Sequence, residues 1–364
     1  AYDTTDNANV YRGTYALSVR STAAYDEARK HISDFIDGED GALAFLPNTS
    51  MCMNVVAQAW VQHNVQAGDV IAIALSEHHS SIIPLIIAAE RSGASLTYIP
   101  YDESGRIDRD AYSEIMRKHP KIVCFAQVGN VFGIENPVGE LAREAREAGA
   151  RIYVDAAQSL PHLAISAKSL GVDWIAFSGH KAYGPMGIGC LWCSNRVLTE
   201  MDPLAAGGGT VAHVSRSTYY LRPAPIQFEI GTPAVSQAVG LAAALGYLDD
   251  LGMENVRRHE AILTRYLCAG LHAIDGITVI GDHNETDGQV GLVSFTFAEA
   301  DSMEVVGFLA KHQIAMRGGG HCALPLHASL GLSGTVRASM GVYTTRQDID
   351  ALLQALSLYR QLIS

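Results

Sequence analysis

Ile152-Tyr153-Val154-Asp155-Ala156-Ala157-Gln158 and Trp174-Ile175-Ala176-Phe177-Ser178-Gly179-His180-Lys181-Ala182 are the two stretches that decide how this chain folds. Each opens as an apolar run of the length expected for a strand buried on both faces. Each then breaks into small and polar residues, with an aspartate closing the first and a lysine following the second. Open α/β sheets collect their ligands at the carboxyl ends of the strands, so Asp155 and Lys181 are expected to face a common crevice.

An acid and an amine so placed are what pyridoxal 5'-phosphate requires of a protein. Lys181 supplies the amine that condenses with the aldehyde of the cofactor. Asp155 keeps the pyridine nitrogen protonated, so that the ring draws electrons from a carbanion at the substrate Cα. Ser178 and His180 flank the lysine at positions suited to the phosphate. Either residue alone would pass for a loop residue, and it is the spacing and strand-end placement of the set that assign the cofactor.

Outward from this pair the pattern is of alternating strands and helices, as in a parallel sheet covered on both faces. Strands are expected over 41–46, 70–74, 95–99 and 122–127, and helices over 50–63, 81–92, 110–118 and 138–148. Asn48-Thr49, His78 and Asn130 then fall, like Asp155, past strand ends. Thr49 or Ser50 at a helix start offers free N–H groups and a dipole to a phosphate. A second unit begins near Val235 with a long helix to Leu251 and a helix over 254–274. Strands over 277–280 and 292–297 and helices over 302–312 and 346–362 complete it as a small α+β domain.

Size and composition permit this reading. With 364 residues, 48% of them hydrophobic, the chain can bury a large core. The formal charge of -12 argues against nucleic acid as the main partner, since phosphate binding needs clustered Lys and Arg. The longest apolar run, 81–89, is interrupted by Pro84 and is too short to span a membrane. No secretory signal is visible. The six cysteines are scattered, which fits a reducing, cytoplasmic setting in which a thiol stays reactive. Cys190-Leu191-Trp192-Cys193 has the gap of a metal pair but no second pair, and reads as a strand. Cys52, Cys124 and Cys268 read as packing residues, and His79, His162 and His327 carry no assignment.

Asp155-Ala156-Ala157-Gln158, Ser178-Gly179-His180-Lys181-Ala182-Tyr183-Gly184-Pro185 and Arg317-Gly318-Gly319-Gly320-His321-Cys322-Ala323-Leu324-Pro325-Leu326 resemble the cysteine desulfurase and selenocysteine lyase group of class V aminotransferase-like enzymes. Further matches are Ser76-Glu77-His78-His79, Asn136-Pro137, Gly207-Gly208-Gly209, Phe228-Glu229-Ile230-Gly231-Thr232-Pro233 and Val336-Arg337-Ala338-Ser339. The compact loop around Cys322 is similar to that of the second subgroup, whose members pass sulfur to separate acceptor proteins.

The resemblance implies a fold type I architecture, with a large, mostly parallel seven-stranded sheet domain over 37–235. A smaller α+β domain, from 1–36 and 236–364, carries the Cys322 loop and includes a helix over 23–36. It implies that L-cysteine is converted to L-alanine, with a persulfide formed on Cys322. His78 would stack on the pyridine ring and assist proton transfer. Arg337, with Arg317, would hold the substrate carboxylate, since a guanidinium forks onto two oxygens. Asn130 and Gln158 would bond the cofactor's phenolic oxygen or the substrate. Thr232 would reach the phosphate from a partner subunit, making a homodimer. A flexible Gly318-Gly319-Gly320 lead-in would let Cys322 travel, while His321 and Arg317 favour its thiolate. L-Selenocysteine as substrate, or an aminotransferase or epimerase that ignores Cys322, are the alternatives on this scaffold. A sulfur-carrying scaffold without cofactor is the non-enzymatic alternative. The acceptor and the pathway served, whether iron-sulfur clusters, thiolated cofactors or selenium recycling, stay open.

The chain departs from the group's pattern in reading Asn48-Thr49-Ser50-Met51 where Gly-Thr-Thr-Glu is common, and Met186 where threonine is frequent. It starts at Ala1, with only ten residues before the Tyr11-Arg12-Gly13 region, as expected of an incomplete or processed chain.

Overall fold

The computed structural model describes residues 2–203, 205–281 and 289–363. Its centre is a seven-stranded sheet built from β1 (Gly41–Leu46), β2 (Val70–Ala74), β3 (Ser95–Ile99), β4 (Ile122–Ala126), β5 (Arg151–Asp155), β6 (Trp174–Ser178) and β7 (Gly189–Ser194), in the order β1-β7-β6-β5-β4-β2-β3. β7 runs antiparallel to both its neighbours, and the ladders from β6 to β3 are parallel. The fold type I expectation is met. Both faces are covered, so the central strands carry continuous apolar runs rather than alternating ones, and β4 and β6 are buried at every position. Cys190 and Cys193 lie on opposite faces of β7, each in a separate core layer, which accounts for their three-residue offset without a metal.

Helices Thr49–Val56 and His79–Ser92 pack on one face with Met53, Val56, Ile82 and Leu85. The first starts at Asn48, whose side chain accepts from Met51 N at 3.0 Å. It continues through a π-helical turn, Ala57–Val61, where an unbroken α-helix was expected. The second ends at Gly93, whose left-handed φ of 73° closes the helix at no side-chain cost.

The opposite face is covered in part by Ala16–Phe35 and Val235–Leu251, through Tyr25, Ala28 and Ile32 of the first and Leu241, Leu245 and Leu248 of the second. The amino-terminal helix, expected with the second unit, packs on that unit's opening helix, Val235–Leu251, and the apolar stripes of both join the large-sheet core. Arg29 fastens it there. Its guanidinium pairs with the Glu229 carboxylate, which also accepts from Tyr25 Oη at 3.0 Å and Phe45 N at 2.8 Å.

A hairpin, β8 (Val211–Val214) and β9 (Tyr219–Leu221), stands out with Val214, Tyr219 and Tyr220 exposed. The sequence reading gave no strands there.

The carboxy-terminal part is a four-stranded antiparallel sheet of β10 (Ile277–Val279), β11 (Leu292–Phe297), β12 (Arg317–Gly319) and β13 (Thr335–Ser339), in the order β10-β11-β13-β12. Met253–His272, Ser302–Lys311 and Arg346–Ile363 bury its other side around Phe295, Leu267 and Leu356. No described helix is long and apolar enough to cross a membrane.

Candidate active site

The crevice lies at the carboxyl ends of β1, β2, β4, β5 and β6, where the smaller sheet leans over the larger one. Lys181 ends a single 3-10 turn after β6. Burial pushes its ammonium below the ordinary lysine range. The Asp155 carboxylate opposes this, while the Arg337 and Arg317 guanidinium groups reinforce it. The amine is thereby held closer to its neutral, nucleophilic form. Among the described residues no hydrogen bond holds it. Asp155 is 6% exposed and takes one hydrogen bond, from Ala157 N at 2.8 Å. Burial pushes its carboxyl up, against the pull of Lys181 and of that N–H.

His78 is the cap of helix His79–Ser92. Its Nδ1 accepts from Ser80 N at 3.1 Å and lies 2.8 Å from Ser80 Oγ, so the ring proton is carried on Nε2. Burial first, then the Lys181 cation and lesser charges, lower its pKa to about 4, so the ring is neutral at pH 7.

Thr49 and Ser178 meet across the sheet ends, with Thr49 N donating to Ser178 Oγ at 2.9 Å and the two hydroxyls 2.6 Å apart. Ser50 instead pairs with the Ser80 hydroxyl at 2.6 Å. His180 is exposed, and burial and Lys181 lower its pKa.

Asn130 ties the two sheets together. Its Oδ1 accepts from Gln158 Nε2 and from Arg337 Nη1, both at 2.9 Å, its backbone oxygen accepts from the same Nη1 at 3.0 Å, and its Nδ2 donates to His321 O at 2.6 Å. The Asn130 amide therefore bonds both the Gln158 amide and the Arg337 guanidinium.

Arg337 on β13 is 9% exposed, and its Nε has no partner among the described residues. Burial and the neighbouring Arg317 lower it to about 10. Arg317 lies directly opposite Arg337 in the β12–β13 ladder, so two guanidinium groups share one face where like charges repel. Such a pair calls for an anion, and a substrate carboxylate or a thiolate would supply it.

Cys322 lies beside this pair. Among the described residues it is the one cysteine that is not buried. Burial drives the thiols of Cys52, Cys124, Cys190, Cys193 and Cys268 upward, which suits the packing role read for them. Arg317 Nη2 donates to Cys322 Sγ at 3.4 Å. The loop is set rather than loose. His321 and Cys322 take left-handed φ values of 47° and 59°, and Cys322 O accepts from His79 N at 2.7 Å. The glycine lead-in expected to be a flexible arm is partly an edge strand, because Arg317–Gly319 completes the small sheet.

His321 does not help the thiolate as expected. It is 2% exposed, its Nε2 donates to Thr335 O at 3.0 Å, and burial with the two arginines lowers its pKa to about 3. Its ring is thus neutral, and the positive charge around Cys322 comes from Arg317, which donates to it, with Arg337 and Lys181 nearby. Thr232 is exposed, in a groove with Tyr11, Arg12 and Arg222, and no contact joins it to Lys181 of its own chain. Met186 is 84% exposed.

Glu77 escaped the sequence reading as a functional group. It is fully buried beside Asp155, and the one signal for it was its place before His78 in the quoted motif.

The donor set fits pyridoxal 5'-phosphate. A buried amine without a bond, a buried carboxyl with one oxygen unserved, a hydroxyl pair at a helix start and an orphaned Arg337 Nε match its aldehyde, ring nitrogen, phosphate and bound amino acid in kind.

The class V aminotransferase family model matches residues 1–352. A cysteine desulfurase of Haloferax volcanii is 38% identical over 98% of this chain and 84% of its own length. A probable cysteine desulfurase of Synechocystis sp. is 37% identical over 98% and 85%. Among solved structures, the apo cysteine desulfurase from Thermococcus onnurineus superposes with a TM-score of 0.95 at 35% identity, covering 99% of this chain and 89% of that one. The Escherichia coli cysteine desulfurase in its S-sulfonic acid form gives 0.89 at 32%, covering 98% and 88%. With the crevice built as described, these matches place the chain in the class V aminotransferase family, among its cysteine desulfurases.

Proposed function

We propose that this chain converts L-cysteine to L-alanine and carries the released sulfur as a persulfide on Cys322. Pyridoxal 5'-phosphate is the cofactor of its family. The observation that carries the proposal is the Arg317–Cys322 contact in a crevice shared with Lys181, Asp155 and Arg337. When bound, the cofactor supplies an aldehyde for amines and a ring that withdraws electrons from Cα.

Lys181 anchors the aldehyde. Lys181, when not holding the aldehyde, would move the substrate Cα proton, with His78 Nε2 able to assist. Asp155 would hold the proton at the ring nitrogen, and Thr49, Ser178 and His180 would hold the phosphate. Arg337 fixes the substrate carboxylate through Nε, which leaves Nη1 on Asn130. Cys322, whose Sγ accepts from Arg317 Nη2, attacks the substrate sulfur. The S–S bond forms as the C–S bond breaks, the electron pair stays with the substrate carbon, and protonation there yields alanine.

The same residues would serve L-selenocysteine. The persulfide would pass to a small acceptor protein or a thiol reductant in the cytoplasm, for uses such as iron-sulfur cluster assembly. We further propose a homodimer in which Thr232 serves the partner's phosphate site. The division into a large unit and a smaller one carrying Cys322 is likewise proposed, with the boundary near residue 235.

The test is to incubate the cofactor-loaded protein with L-cysteine and a reductant, measuring sulfide and alanine. Equal amounts of both from the native chain, and neither from Cys322→Ala, are expected. Alanine without sulfide, or undiminished turnover by Cys322→Ala, would sink the proposal.

A further inference from the structure

Behind Asp155, polar groups collect inside the apolar layer under helices Thr49–Val56 and His79–Ser92. Tyr153 stands two residues before Asp155 on β5 and so on the same face, opposite Cys124 of β4 in the ladder. Glu77 follows β2, and Ser81 lies in the first turn of the helix capped by His78. Glu77, Ser81 and Tyr153 each have 0% exposure. Glu77 Oε2 accepts one long hydrogen bond, from His78 N at 3.3 Å. Its Oε1, the Ser81 Oγ and the Tyr153 hydroxyl have no partner among the described residues.

A fully buried carboxyl with one long hydrogen bond, an orphaned oxygen and a second buried carboxyl acting on it does not ionise cheaply. Burial, then the Asp155 charge, push Glu77 up to about 8, against a weaker pull from the His78 N–H. The remaining titratable neighbours, Tyr153, Cys124 and Cys52, are pushed upward by burial and are neutral at pH 7. Asp155 is the member of the pair that borders Lys181, whose cation favours the ionised form there.

We propose that Glu77 is a positioning residue for the ring-nitrogen site, a neutral acid that leaves one negative charge on the pair at Asp155 and releases its proton when a cation binds there. Its effect on the cofactor rests on the reading above, in which the cation is the protonated ring nitrogen. Binding then lowers the pKa of Glu77, so affinity rises with pH through the Glu77 titration and a proton is released.

The first measurement is the infrared spectrum of the full chain without cofactor. A protonated-carboxyl stretch is expected at about pH 6 and lost by about pH 10. It should shift on ¹³C-glutamate labelling and vanish in Glu77→Gln. Its absence from the native chain at the lower pH, or its survival in Glu77→Gln, overturns the proposal. Should Glu77→Gln not fold, Glu77→Asp must move the band from the glutamate label to the aspartate label. The second measurement is cofactor affinity against pH. A rise through the Glu77 titration in the native chain, missing in Glu77→Gln, is expected, and identical profiles overturn the coupling. A native chain that shows the band but takes up no cofactor refutes the cofactor reading and leaves the protonation of Glu77 standing.

Discussion

Arg337 shows how one side chain is specialised by its surroundings. Nη1 is committed to Asn130, so the free Nε edge is what remains for a carboxylate. Arg337→Lys removes the fork while keeping a charge. The KM for L-cysteine should rise roughly tenfold to a hundredfold, as for loss of a charged hydrogen bond, and steady-state kinetics would measure it. His78 is lowered to about 4, so it contributes no inflection between pH 5 and 8. Its protonation would cut activity only as the pH drops toward about 4. A His78→Ala variant retaining a native inflection in that acid limb would contradict the assignment. The identities of these residues were legible in the sequence. Their protonation was not, since it sums burial and charge from segments far apart along the chain.

At the scale of elements, Gly189 opens β7 where β1 and β6 end. A Cβ there would lie 2.7 Å from Asn48 Cα and 2.8 Å from Phe177 O. Gly189→Ala must push the Asn48-Thr49 turn away from Ser178. Cofactor affinity should weaken by more than the melting temperature falls, which fluorescence titration and calorimetry would compare. The amino-terminal helix depends on Arg29 and its buried carboxylate partner. Glu229→Ala leaves an uncompensated buried cation and should cost about 3–5 kcal/mol in urea unfolding. Helices and strands of the large sheet were readable from their apolar periods. β12 was not, because Arg317-Gly318-Gly319 has no strand pattern and becomes a strand by pairing with β13.

For the whole molecule, the site exists because the small sheet is clamped to the large one. Asn130 joins Gln158, Arg337 and the backbone before Cys322, and Ser294 Oγ donates to Val131 O at 2.6 Å nearby. Farther along, His162 Nδ1 meets Glu260 Oε2 at 2.8 Å, which gives a partner to a histidine the sequence left unassigned. Asn130→Ala should therefore loosen 317–324 while leaving β4 to β6 protected, a contrast readable by hydrogen exchange. Equal exchange of 317–324 in the native chain and in Asn130→Ala would show that the clamp lies elsewhere. By itself the sequence determined the layered α/β plan and the Asp155–Lys181 pair, because each is written within a short run whose period or spacing is physical, and it singled out Cys322, the cysteine that is not buried. The tertiary structure alone decided that Arg317 faces Arg337, that His321 is neutral, that Glu77 backs Asp155 and that the first long helix joins the large core. Those outcomes depend on strand order, register and burial, which bring together groups the chain keeps far apart.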